Sequence, residues 1–200
     1  MADEQVKKIY TRRGDSGETG LLLGGRVAKT DPRVAACGVI DEANSALGLA
    51  RSLTTNLRMK ELTLELQRQL FIVGAEIATP AEHRGRLEEM FETVTAKMTA
   101  RLEATMDELG KEVELPPAFI IPGASAASGA MDVARAVLRR AERESVALDQ
   151  AGLLENAEVL RYLNRLADLL FVLARYEDRH LPPEVLTGVR KPRRSGRVSP

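Results

Sequence analysis

The sequence predicts an all-α fold, an up-and-down bundle of five long helices around an aliphatic core. Three observations lead there. Apolar residues recur at spacings of three and four over five separate segments. The apolar fraction is 44% while aromatics make up only 4% and tryptophan is absent, so Leu, Ala, Val, Ile and Met must fill the core. No segment sustains a period of two; the β-prone pieces are short ones near Ile9-Tyr10-Thr11 and Phe119-Ile120-Ile121.

The first helix opens after Thr30, with Asp31 as N-cap and Pro32 in the first turn, and carries Ala36, Ile40, Ala43, Leu47 and Ala50. The second repeats Leu62, Leu66, Leu70, Val73 and Ile77 and stops before Thr79-Pro80, because proline disfavours helix in the residue before it. The third reads Leu87, Phe91, Val94, Met98, Leu102 and Leu109 as one rod. The fourth starts near Ser125, with Ser128 three positions on, and shows Met131, Ala134, Leu138, Ala141, Ser145 and Leu148. The fifth follows Gly152 through Val159, Leu163, Leu166, Leu170 and Leu173. The chain divides into a loop region over 1–30, a bundle over 31–180 and a basic, disordered tail over 181–200, all one domain.

The balance of 29 cationic and 29 anionic side chains argues against sequence-independent nucleic-acid binding, which needs a basic surface. A single cysteine, Cys37, excludes an intrachain disulfide and suits a reducing cytosol. With only His83 and His180 beside it, one chain cannot build a His/Cys zinc site. No apolar run reaches the length of a membrane span, and Met1-Ala2-Asp3-Glu4-Gln5 lacks an apolar signal region. The expectation is a cytoplasmic protein with no metal site of its own.

Four features exceed what a plain bundle needs. The stretch from Thr11 through Arg12, Arg13 and Gly14 to Thr19 and Gly20, continued by Gly24-Gly25-Arg26 and Lys29, has the small, hydroxyl and cationic residues of a phosphate cradle. It is not a Walker A sequence, and a structural turn is the alternative. On the fourth helix Arg135, Arg139 and Glu142 share one face, with Arg140 and Arg143 beside it. Guanidinium groups at a core edge suit bidentate phosphate recognition; a solvated, salt-bridged face is the alternative. Asn164 falls in a stripe with Leu160, Ala167, Phe171 and Ala174 and is expected to be buried. Asp41 wants a cation, for which Arg135 is a candidate. Together these features suggest one site.

The ordered motifs resemble the PduO-type ATP:cob(I)alamin adenosyltransferases. They are Ile9 to Gly20, Gly25 to Arg33, Ile40 to Ser45, Phe119 to Gly123, Val133 to Arg143, and Tyr162 to Asp168. The resemblance implies a five-helix bundle assembled as a homotrimer, with active sites between subunits. ATP with Mg²⁺ and a reduced cobalamin would be the substrates. Thr11, Arg12, Arg13, Gly14, Thr19 and Lys29 would hold the nucleotide from one subunit; Arg139, Arg140, Glu142, Arg143 and Asn164 would complete the site from its neighbour. Asp41 and Arg135 would form an inter-subunit ion pair near the corrinoid, and Phe119 would cover the lower face of cobalt. A reductase and an adenosylcobalamin-dependent enzyme are the further partners implied. Ser16, Ala124, Asp132 and Cys37 depart from the family pattern, Asp132 by adding a negative charge near the arginines. A corrinoid carrier without turnover, or a plain helical interaction module, are the rival readings.

Overall fold

The computed structural model describes residues 9–188. They form seven α-helices, one 3₁₀ turn at Ala81–His83 and one two-stranded hairpin. The helices are α1 (Pro32–Leu53), α2 (Leu57–Ile77), α3 (Arg84–Met90), α4 (Ala96–Gly110), α5 (Ala126–Gln150), α6 (Glu158–Glu177) and α7 (Pro183–Thr187). The hairpin pairs β1 (Glu18–Gly20) with β2 (Arg26–Ala28), antiparallel, Thr19 opposite Val27.

Local chemistry sets the helix ends. The Asp31 side chain accepts the Arg33 N–H at 2.8 Å and Pro32 fills the first turn of α1. Ser125 and Ser128 form a reciprocal capping box at the start of α5. Asn56 caps α2 by accepting from Met59 N–H.

Side-chain ladders fix the helix directions. Glu142 meets Asn164 and Asp132 meets Arg175, so α5 and α6 are antiparallel. Thr54, just past α1, donates to Glu177 at the end of α6, so those two run parallel. Arg58 with Glu112, and Glu65 with Arg101, set α4 antiparallel to α2. The start of α1, the end of α2, the end of α5 and the start of α6 thus share one pole, and their other ends share the opposite pole. The core between them is aliphatic, from Ala36, Ile40 and Leu47 through Leu70 and Leu138 to Leu163, Leu166 and Leu170.

Four expectations are corrected. The third rod is two helices, α3 and α4, broken at Phe91–Thr95. The break is held by Glu76 of α2, a fully buried carboxylate that accepts from Val94 N–H (2.6 Å), Asn156 Nδ2 (2.8 Å) and the Arg84 guanidinium. The fifth rod begins at Glu158, after an extended link tied by Asn156 to Val94 O at 2.9 Å. Neither Ile9-Tyr10-Thr11 nor Phe119-Ile120-Ile121 is a strand; the hairpin forms where Leu23 (φ 66), Gly24 (φ +136) and Gly25 (φ +81) turn the chain. Finally, the tail is not wholly irregular, since α7 docks Leu186 into the far pole and Leu186 O accepts from Ile121 N–H at 2.8 Å. The basic residues Arg190, Lys191, Arg193, Arg194 and Arg197 lie outside the described residues.

Candidate active site

The N-terminal loop is anchored at the first pole. Leu22 N–H donates to Ala78 O at 3.1 Å, just beyond α2, and Gly24 sits where a Cβ would come within 3.3 Å of His83 Nε2. Arg33, almost fully buried, donates to Ile77 O and Thr79 O and so ties the start of α1 to the end of α2. The loop is closed by its own cations. Arg26 Nη2 donates to Arg13 O at 2.8 Å and Arg26 pairs with Glu18 at 3.3 Å. Lys29 N–H donates to Gly17 O at 2.8 Å, and its ammonium packs on Gly14, where a Cβ would stand 3.2 Å from Nζ. A side chain at position 14 would thus press against the end of Lys29. Thr11 Oγ1 accepts from Arg13 N–H, and Arg12, at φ 60, stacks over Tyr10. Thr19 is half-buried in β1. Thr11, Arg12, Arg13 and Lys29 all expose their side chains at this pole.

The arginine face lies midway along the bundle. Arg139, Arg140 and Arg143 are exposed on α5. Arg140 pairs with Glu42 of α1, and Arg143 Nη1 donates to Arg139 O at 3.0 Å. Asn164 is exposed, not buried as expected, because α6 turns that position out of the core; its Nδ2 donates to Glu142 Oε1 at 2.9 Å. Glu142 and Asn164 are thus brought together, while among the described residues no side chain pairs with the exposed Arg139 guanidinium.

Arg135 is half-buried over the Phe171 ring, 5.5 Å from its centroid. It does not meet Asp41 within the chain, and among the described residues no ion pair joins the two. The reason is geometric. Asp41 lines a groove between α1 and α2, and Arg135 faces Phe171 of α6 on the other side of α5. Asp132 does not load negative charge onto the arginine face either: it is buried and paired with Arg175 at 2.5 Å, and Arg175 stacks on the same Phe171 ring. Phe119 is 98% exposed near the far pole, beside the segment that meets α7. Within one chain the loop, the arginine face and Phe119 therefore occupy three separate levels.

Sequence reading missed Arg33, Glu76, Glu42 and Arg175. For Glu76 a signal existed, since it sits three positions after Val73 on the apolar register of α2. Cys37 departs from ordinary thiol behaviour: burial, with Asp41 adding to it, pushes its pKa up to about 11. Its thiol rests 3.8 Å from Gly74 O.

The chain is thus an α-helical bundle with a glycine-rich loop at one pole and an exposed arginine face midway along α5. The family model described as cobalamin adenosyltransferase matches residues 9–177, and the chain belongs to that family. It is 41% identical over 170 residues to the corrinoid adenosyltransferase PduO of Citrobacter freundii, covering 85% of this chain and 50% of that protein. The corrinoid adenosyltransferase of Mycobacterium leprae (strain TN) is 40% identical over 174 residues, covering 85% of this chain and 91% of that protein. The chain thus spans about half the length of its PduO relatives. A variant PduO-type ATP:corrinoid adenosyltransferase from Lactobacillus reuteri, complexed with cobalamin and ATP, superposes with a TM-score of 0.77 at 37% identity, over 84% of this chain and 92% of that one. Among the described residues no helix is long and apolar enough to cross a membrane.

Proposed function

We propose that the chain transfers the 5′-deoxyadenosyl group of ATP to the cobalt of cob(I)alamin, yielding adenosylcobalamin and triphosphate. The observation that carries this reading is the pair of cationic half-sites, the loop along which Lys29 lies and the exposed Arg139 of α5, on a chain of the adenosyltransferase family. Both halves suit a polyphosphate, by backbone and ammonium on one side and bidentate guanidinium on the other.

The reaction asks little acid–base chemistry of the protein. The cobalt lone pair of the reduced corrinoid attacks C5′ of ATP, the cobalt–carbon bond forms, and the C5′–O bond breaks with its electrons leaving on triphosphate. The substrate itself is the nucleophile, so the protein's work is alignment and stabilisation of the leaving anion. Thr11, Arg12, Arg13, Gly14, Thr19 and Lys29 bind the nucleotide; Arg139, Arg140 and Arg143 face its phosphates, and Glu142 with Asn164 orients that arginine face. Mg²⁺ brought in with ATP would add charge neutralisation to that of the arginines and Lys29. Phe119 shields the lower face of the macrocycle from water and from its axial base.

The site is shared between subunits of a homotrimer. The separate levels of loop, arginine face and Phe119 in one chain support this, because a neighbour's rod can stand where the chain's own does not reach. Asp41 and Arg135, unpaired with each other within the chain, are then free to pair across the interface. The setting is the cytoplasm, with a reductase supplying cob(I)alamin and an adenosylcobalamin-dependent enzyme taking the product.

An anaerobic assay with reductant, cobalamin and Mg-ATP tests the reading. Formation of the carbon–cobalt product with release of triphosphate is expected. Corrinoid binding without product would leave a carrier in place of an enzyme.

A further inference from the structure

At the far pole a cavity of about 220 Å³ opens between α7 and the link from α4 to α5. Pro116 and Pro117 of the link stand on one side, Pro183 and Leu186 of α7 on the other, and Arg175 and Arg179 from the end of α6 complete it. Arg175 is 3% exposed; its Nη2 donates to Asp132, while its Nε–H is buried without an acceptor. Arg179 is half-buried, lies 3.9 Å from the centroid of the Tyr176 ring and donates from Nη1 to Tyr176 O at 2.7 Å. Among the described residues no carboxylate pairs with Arg179. Glu114 is the one anionic side chain these residues bring to the lining, and it is exposed.

The cavity is therefore rich in donors and otherwise apolar. Asp132 neutralises Arg175 without satisfying it, and a buried donor lacking an acceptor is costly. Arg179 brings the net charge, because its present partners, a carbonyl and a ring, are neutral. Solvent screens Glu114 at the rim. Inorganic phosphate would lose hydration against proline and leucine with nothing in return. A carboxylate on a short alkyl chain suits both parts of the wall, its oxygens matching the guanidinium forks and its methylenes the apolar sides. At about 30 Å³ for each water-sized group the cavity holds about seven heavy atoms, the size of pentanoate.

We propose that this cavity binds a short-chain monocarboxylate, with the carboxylate between Arg175 and Arg179 and the alkyl chain between Pro116-Pro117 and Leu186. Occupancy clamps the far pole. The two walls are already joined by one hydrogen bond, Ile121 N–H to Leu186 O at 2.8 Å, and Pro117 stands two residues before Phe119. A bound acid thus braces α7 against the segment that carries Phe119. The binding itself does not depend on adenosyl transfer.

Calorimetric titration of the whole protein with pentanoate at constant ionic strength tests this. Saturable binding is expected, with pentanamide and inorganic phosphate at least about tenfold weaker. Acetate, which keeps the charge and loses the chain, should also bind at least about tenfold more weakly. Saturating pentanoate should slow hydrogen exchange at the Ile121 amide at least about threefold and leave the amides of β1 and β2 unchanged. Arg179→Gln, checked for an unchanged melting curve, should weaken pentanoate at least about tenfold and leave ATP affinity unaltered. No saturable binding overturns the proposal, and so does equal binding of pentanoate with pentanamide or with acetate, comparisons that need no variant. An Arg179→Gln protein of normal stability that binds pentanoate as the wild type does, or an Ile121 amide indifferent to the acid, would overturn it as well.

Discussion

If Lys29 and Arg139 act in one site built from two chains, two inactive variants must rescue each other. Lys29 stands at the pole shared by the end of α5. Arg139 lies eleven residues before Gln150, about 16 Å back along the axis at the helical rise of 1.5 Å per residue. Lys29→Ala removes the ammonium that lies along the loop while keeping the backbone bond to Gly17, and Arg139→Ala removes the exposed guanidinium of the rod. Each should reduce product formation by at least about a hundredfold, the scale of losing one donor aimed at a developing anion. After the two are mixed in equal amounts and allowed to exchange subunits, each site of a cyclic assembly draws its loop from one chain and its rod from the next. Half of the loops and half of the rods are intact, so about one quarter of the sites are whole. The assay is the initial rate of adenosylcobalamin formation, read from the visible spectrum. A mixture no more active than its separate components would refute the shared site, since both residues would then be serving the same chain's nucleotide.

The remaining predictions concern the supports of that site. Asp132→Ala leaves Arg175 buried without its partner, which should cost about 3–5 kcal/mol and lower the melting temperature by about 10 °C. A loss under about 1 kcal/mol in denaturant titration would show that the pair is not the tie between α5 and α6. Cys37 predicts a slope at alkaline pH. Its thiol ionises at about 11 in the folded chain against an ordinary 9.0. Between those values the unfolded chain has lost a proton that the folded chain keeps, so stability falls as pH rises, by up to about 1.4 kcal/mol per pH unit. Cys37→Ser should flatten this slope, and an unchanged curve would count against it. Phe119→Ala removes almost no packing, because the ring is exposed, so stability should stay within about 0.5 kcal/mol. Turnover starting from cob(II)alamin should fall at least about tenfold while prereduced cobalamin is less affected. The reverse pattern would remove Phe119 from the axial face.

The rods with long apolar registers were legible because periodicity and caps act locally: Asp31-Pro32, Ser125 with Ser128, and the stripe from Val159 to Leu173 all appear as read. The third rod misled because Phe91, Val94 and Met98 keep helical spacing across a break that is set from elsewhere, by Glu76 and Asn156. A tertiary hydrogen bond leaves no periodic trace. The hairpin was missed for a related reason, its strands being three residues each and its turn relying on Leu23 at positive φ, a residue that signals no turn. In the candidate site, residue types were legible and pairings were not. The apolar stripe around Asn164 places it in the interior although it is exposed, and Asp132 meets Arg175, a partner that nothing on its own helix announces. Each pairing depends on the rotation of one helix against the next, which spacing along a single helix does not specify.

The Glu76 knot bears on how the molecule breathes. Val94 belongs to no helix, yet its amide hydrogen points to a carboxylate with no exposed surface, whose other contacts lead to Asn156 before α6 and Arg84 in α3. Releasing that one hydrogen to solvent means parting three segments of the chain at once. Hydrogen exchange at Val94 therefore reports the opening of the whole loop-bearing pole, and this amide should exchange as slowly as those in the middle of the rods.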